Sequence, residues 1–496
     1  MSRIPASERE DLLGALRDLG GAGQAESENP ELFPLRFYPV AEHLRAFVPE
    51  VTLIVGERGA GKSELFGAVM RFGLLPAAAP YAPGVRLPPL DQSRTTWQAA
   101  YPAGAQFPDS AGLNRFLEEN HFSPRAAQQL WFAYLVRVLK PHLDEEARAG
   151  LQPLFSPQGG DALAVMDAFD KAGQVPLLVL DTLDARLVQA DQWHFVGYDE
   201  LDTLADYDWK TMGAAISGLV SFWASYSRRW RRLRAKIFMR TDLFRRNTSS
   251  SSADLPKLAS NRVEISWSDR NLYAMLLKRI ANSSPALKEY CASSRISFKE
   301  EDPRLGWIPD IATAEEARPL IEKIVSPFMG ANKNKGLTFN WLLDHIRDGQ
   351  DKAYPRALVR LVEQAAVNEI QNPKAGYNRL IDPTSLRRAI EKVSEQQVTQ
   401  AINNEWPWLE GVRERVQGEI VPMTRRQLED LLSKGWGERW NPHRQIRPPA
   451  EDPRALVSYL VELGVTRQRW DGRLDTPDIY QSGLGLKRKG GVRRNK

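Results

Sequence analysis

At 496 residues the chain exceeds one ordinary domain, and its 42% hydrophobic and 26% charged residues are those of a soluble globular protein. A single cysteine, Cys291, excludes a disulfide framework and a cysteine-based zinc site, which fits a reducing, cytoplasmic compartment. The net charge of +5 permits nucleic-acid binding without arguing for it, so where the positive charge sits matters more than its total.

Residues 1–30 are polar and small, a helix and a loose linker with no signal-peptide pattern. Residues 36–50 read as a lead-in with a short helix. Val51–Val55 is a buried strand, and 62–72 the helix after it. Residues 74–110, rich in Pro, Ala and Gly, form an irregular insert with a short strand at Gly84–Leu87. Ala126–Leu139 has helical spacing, and Ala162–Gln189 reads as two more helices. Trp193–Tyr198 is a strand and Thr211–Leu233 a long helix. Ala235–Met239 and Arg262–Trp267 are strands, and Asn271–Ala281 is helical. The alternation predicts an α/β fold, a parallel sheet with helices on both faces. The chain then reads as mostly helical over 285–400 and mixed from about 405. Ser249–Ser252 is a low-complexity stretch in a loop. No stretch approaches the roughly 18 apolar residues of a membrane span.

Gly56-Glu57-Arg58-Gly59-Ala60-Gly61-Lys62-Ser63 follows a strand and opens a helix, the context a phosphate-binding P-loop requires. Glycines let backbone N–H groups turn inward around phosphate oxygens without a Cβ clash, and the helix N-terminus adds positive partial charge. Gly56, Gly59, Ala60, Gly61, Lys62, Ser63 and Glu64 are the expected contacts of ATP. Lys62 reaches the β- and γ-phosphates, and Ser63 ligates Mg²⁺.

An ATPase also needs a carboxylate for Mg²⁺ and usually a second to activate water. Two segments compete. Leu177-Leu178-Val179-Leu180-Asp181-Thr182-Leu183-Asp184 puts Asp181 after four apolar residues, yet its apolar spacing is also helical and no Glu follows the Asp. Phe195-Val196-Gly197-Tyr198-Asp199-Glu200-Leu201-Asp202 ends an apolar run in Asp-Glu. The second is preferred: Asp199 for Mg²⁺, Glu200 to polarise the attacking water. In a parallel sheet the C-terminal strand ends face the ligand crevice. Arg240 or Thr241, closing the strand before Asp242, then senses the γ-phosphate, or Arg240 reaches a neighbouring subunit's nucleotide. A salt bridge from Arg240 to Asp242 is the structural alternative. Arg356, in Tyr354-Pro355-Arg356, opens a later helix and suits a lid residue that folds onto the phosphates.

GERGAGKS, GYDELD, KIFMRTD, NRVEISWSDRNLYAMLLKRIA and YPRALVRLVEQA together resemble bacterial ATPases of the ASCE class, which includes AAA+, origin-recognition-like, STAND and KAP ATPases. The resemblance covers roughly 35–370 at motif level. It implies a five-strand parallel sheet, an all-helical lid, and ATP hydrolysis coupled to conformational change. It sets Lys62 and Ser63 on Walker A, Asp199 and Glu200 on Walker B, Arg240 or Thr241 near sensor 1, and Arg356 near sensor 2. Many such bacterial ATPases belong to mobile-element or phage-defence loci. The insert between the two Walker motifs is longer than the class usually carries.

Past the helical region, Arg425–Lys434 and Pro453–Leu463 are helices. Val465–Trp470, an Asp471-Gly472 turn and Arg473–Asp475 follow. Two helices and a hairpin resemble a winged helix. The tail Lys487–Lys496 is strongly basic and suits phosphate contacts with DNA. A second basic run, Arg228–Lys236, lies on the long helix and its continuation, with some residues facing nucleic acid or acidic neighbours. The expected organisation is an N-terminal extension (1–34), a P-loop ATPase core (35–284), a helical lid (285–400) and a winged-helix-like domain with the basic tail (401–496). The expected partners are ATP, Mg²⁺, other copies of the chain, and DNA or a DNA-acting protein, with no membrane. The alternative is a signalling ATPase whose C-terminal module binds a protein effector without touching DNA.

Overall fold

The computed structural model describes residues 4–20, 29–102, 107–205, 208–250, 258, 260–373, 378–437, 440 and 446–489. The chain forms two compact units, 24–266 and 1–23 together with 267–496.

The first unit is built on five parallel strands: β1 (Leu53–Gly56), β2 (Thr95–Tyr101), β3 (Trp193–Tyr198), β4 (Leu233–Arg240) and β5 (Val263–Ile265). They lie in the order β2-β3-β4-β1-β5. Two faces must be buried, so β1 is apolar on both, while β4 alternates apolar residues with Arg234, Lys236, Phe238 and Arg240. Side chains alternate along each strand. Leu53 and Val55 of β1, Val196 and Tyr198 of β3, and Leu233, Ala235, Ile237 and Met239 of β4 join one core. It is closed by Trp131 of the helix Pro124–Val138 and Trp223 of the helix Trp209–Tyr226. The other face carries Phe195, Gly197 and Phe238, with the Phe66 ring edge-on to Phe238 at 5.5 Å and the Trp97 ring stacked on Phe195 at 4.3 Å. Phe66 belongs to the helix Lys62–Met70 that follows the glycine-rich loop.

The two helices over the first face touch backbone to backbone. A Cβ at Gly218 would stand 2.5 Å from Ala127 Cβ and 2.7 Å from the Gln128 nitrogen. Neither atom is a flexible side-chain tip, so Gly218→Ala must push the helices apart. We expect a loss of about 1–3 kcal/mol. A urea-unfolding midpoint equal to wild type would contradict this.

The insert after the first helix differs from expectation. Gly84–Leu87 is not a strand; Gly84 has φ +88° in a turn, and the chain there runs without regular structure. The strand is Thr95–Tyr101, at the sheet edge and paired only to β3. The long helix also ends sooner, at Tyr226 rather than Leu233, and β4 begins at Leu233. The amides of Arg231, Arg232 and Leu233 are drawn out of the helix by one carboxylate, Asp184, at 2.9, 2.7 and 2.8 Å. The basic run Arg228–Lys236 therefore spans a turn and a strand. Its members meet acidic neighbours: Arg229 pairs with Asp181, and Arg232 with Asp191. Of Ser249–Ser252, the first two residues end the helix Thr241–Ser250 and the last two lie outside the described residues.

In the second unit the N-terminal helix Ala6–Arg17 packs on the helix Pro355–Gln371. Arg9 donates to the fully buried Glu369 at 2.7 Å, and Glu369 also accepts from the Ser385 hydroxyl at 2.7 Å. A buried carboxylate needs such partners. Farther on come the helices Arg425–Ser433, opened by a Thr424/Gln427 capping box, and Pro453–Glu462. Arg467–Gln468 then pairs antiparallel with Leu474–Asp475. Two pairings were not anticipated: Ile420–Val421 runs parallel to Lys487–Arg488, and Met423 bridges to Leu474. The basic tail beyond Lys489 lies outside the described residues. Among the described residues no helix is long and apolar enough to cross a membrane.

Candidate functional site

The site forms where β1, β3 and β4 end. Gly56 closes β1, and the turn after it needs glycine: Gly59 has φ +74° and Gly61 φ +92°. Gly61 caps the helix Lys62–Met70 in the left-handed conformation, and Ala60 is fully buried beneath the loop. Backbone N–H groups at this helix start face outward with positive partial charge, the arrangement that holds phosphate oxygens. Glu64 lies in the first turn. A Cβ on Gly56 would come within 3.1 Å of Ile265 Cβ and 3.4 Å of Lys62 Cγ, so glycine there lets the lysine stem run along the strand end.

Lys62 Nζ donates to the carbonyls of Gly56 at 2.8 Å and Glu57 at 3.0 Å. Burial pushes its pKa down to about 8, while the charge of Asp199 works the other way.

Strand alternation puts Asp199 on the same face as Phe195 and Gly197, under the helix of Lys62 and Ser63. Gly197 is what lets that helix approach: a Cβ there would meet Phe66 Cε2 and Met70 Cε at 2.7 Å. Asp199 is buried, and burial raises its pKa to about 6, against the lowering effects of the Ser63 hydroxyl and the Lys62 charge. Its Oδ2 atom is buried without a hydrogen-bond partner. Such an orphan is costly and calls for a ligand. Mg²⁺ takes oxygen ligands, so Asp199 Oδ2 and the Ser63 hydroxyl fit it.

Glu200 follows with φ +55°, uncommon for a residue with a side chain and a frequent mark of functional sites. Its carbonyl accepts from the Thr203 hydroxyl at 2.8 Å, and that hydroxyl also meets Tyr101 Oη at 3.0 Å. Arg71 stands 3.9 Å from the Glu200 carboxylate.

Between β1 and β3, β4 ends in Arg240, and Thr241 opens the helix that follows. Arg240 is held by both oxygens of Asp242, at 3.0 and 2.7 Å, and by Asp202 at 3.1 Å. Burial opposes its charge, but the two carboxylates outweigh burial and its pKa stands above the ordinary value. The structural alternative for Arg240, its bridge to Asp242, is thus present. Thr241 Oγ1 is buried without a hydrogen-bond partner.

The structure therefore gathers Lys62, Ser63, Asp199, Glu200, Arg240 and Thr241. Asp181 and Asp184 are elsewhere, on the helix Val175–Gln189. Asp184 binds the amides that start β4, and Asp181 accepts from Arg229 Nε at 2.7 Å and Trp230 Nε1 at 2.9 Å. The start and end of β4 are on the order of 25 Å apart at about 3.3 Å per residue, so these carboxylates sit at the opposite end of the strands from Gly56. Arg356 is the second residue of the helix Pro355–Gln371, in the other unit. Asp202, Arg71, Thr203 and Tyr101 were missed from sequence. Asp202 was visible three residues past Asp199; Arg71 and Tyr101 carry no local signal.

Strand order, glycine-rich loop and acidic strand end together define the fold of a P-loop NTPase, a parallel sheet followed by a largely helical region. No protein-family model matches the chain, and no curated protein does. Among solved structures it is similar to the Aeropyrum pernix ORC1 protein in complex with DNA, at 12% identity over 91% of this chain and 95% of that one, with a TM-score of 0.36. It is also similar to the ORC2 protein of the same organism in ADPNP–ADP complexes, at 12% identity over 88% of this chain and 86% of that one, with a TM-score of 0.34. The nucleotides and the DNA belong to those proteins.

Proposed function

We propose that the chain binds ATP with Mg²⁺ and hydrolyses it, and that turnover drives a conformational change in an AAA+- or STAND-like switch acting on DNA or with a DNA-acting partner. The orphaned Oδ2 of Asp199, beside Lys62 and Ser63, is the observation that carries the reading. Lys62 exchanges its loop carbonyls for phosphate oxygens. Ser63 and Asp199 would hold the metal, which would supply charge neutralisation at the phosphates. Glu200 polarises the attacking water, and Thr241, with its unpartnered hydroxyl, meets the γ-phosphate or that water. Arg240 keeps Asp202 and Asp242 in place around the strand end. Arg356 is the lid residue of a helical region over 285–400, and 401–496 is a winged-helix-like output module. The working form is an oligomer or an ATP-dependent dimer. A role in phage defence would be supported by a nuclease or effector gene beside this one.

Hydrolysis measured with and without DNA tests the output. We expect stimulation that fades as salt rises, because phosphate contacts are screened. No stimulation, and no DNA binding at low salt, would favour the alternative in which the C-terminal module binds a protein effector.

A further inference from the structure

Trp470 is 81% exposed, against 58% for Leu178, the next large apolar side chain on the described surface. It stands at the tip of the hairpin Arg467–Gln468/Leu474–Asp475. The tip is fixed. Arg469 N–H donates to the Arg473 carbonyl at 2.8 Å and Gly472 N–H to the Arg469 carbonyl at 3.0 Å, and Gly472 takes φ +79°. Asp471 accepts from the Arg473 backbone at 3.1 Å and from its guanidinium at 2.7 Å. Buried Leu474 roots the hairpin through its bridge to Met423. An indole presented this way loses little freedom on binding.

The surroundings are basic. Three guanidiniums gather on the buried Asp475: Arg467 at 3.5 Å, Arg488 at 3.7 Å and Arg469 at 3.8 Å. Arg488 also pairs with Asp478 at 3.0 Å and Arg469 with Asp471 at 3.7 Å, yet Arg473, Lys487 and Lys489 add to the three arginines, so the cations here outnumber these carboxylates.

We propose that the Trp470 hairpin binds single-stranded nucleic acid, the indole stacking on an unpaired base while the arginines around Asp475 meet phosphates. An aromatic face set among cations is the combination that holds single strands. A paired duplex offers base edges and phosphates but no free base face. The proposal rests on the reading that the C-terminal module contacts DNA, and it names the form of DNA and the residue that meets it.

The test uses the full chain, a labelled oligothymidylate and a duplex of equal length, with binding read by anisotropy. Trp470→Ala should weaken single-strand binding roughly tenfold, the scale of one lost base stack. Trp470→Phe should keep most of it, and duplex binding should not change. Trp470→Ala binding the single strand like wild type overturns this proposal alone. A wild-type protein that binds neither strand nor duplex at low salt overturns the DNA reading with it. Unfolding does not confuse the result, since Trp470 is exposed.

Discussion

Glu200→Gln is expected to bind ATP normally and to lose hydrolysis by roughly 10²- to 10⁴-fold, the usual worth of a general base. The amide is isosteric, so the left-handed turn at Glu200 and the Thr203 hydrogen bonds to its carbonyl survive. What goes is the charge proposed to polarise water. Asp184→Asn should do the reverse. Asp184 accepts three backbone amides at the start of β4. An amide in its place offers one acceptor oxygen and turns an NH₂ toward donors, at a cost of about 1–3 kcal/mol. Hydrolysis by the folded protein should stay near wild type. The pair of variants is measured by steady-state hydrolysis and urea unfolding. An inactive, stable Asp184→Asn beside an active Glu200→Gln would reverse the assignment of the acidic strand.

The position of Asp199 and Glu200 just past the end of a buried strand was legible because an apolar run leads straight into them. The phosphate loop was legible for the same reason, since its glycines, lysine and helix are contiguous. The places that were misread depend on distant partners. Phe222, Tyr226 and Trp230 continue at helical spacing, so local pattern extends the helix. Asp184, nearly fifty residues earlier in the chain, captures the amides that would have continued it. Thr95–Tyr101 lies in a stretch of Pro, Ala and Gly, and its strand character comes from pairing with β3. Arg71 beside Glu200 and the two carboxylates around Arg240 are likewise brought together by the sheet, not by spacing.

ATP binding on the glycine-rich loop depends most on Lys62. Its ammonium is partly buried at the loop, bonded to the Gly56 and Glu57 carbonyls and close enough to Asp199 to feel its charge. Truncation removes the ammonium at the loop's helix start and would leave phosphate charge there unpaired. Losing one partner of a buried charge pair costs about 2–5 kcal/mol, and about 3 kcal/mol is on the order of a hundredfold in Kd. The stem is no deeper than the loop, so Lys62→Ala should fold. The direct measurement is a calorimetric titration of wild type and Lys62→Ala with ATP and Mg²⁺. Wild type should give a saturable isotherm, and the variant one weakened on the order of a hundredfold or beyond detection. Tight ATP binding retained by Lys62→Ala would contradict this.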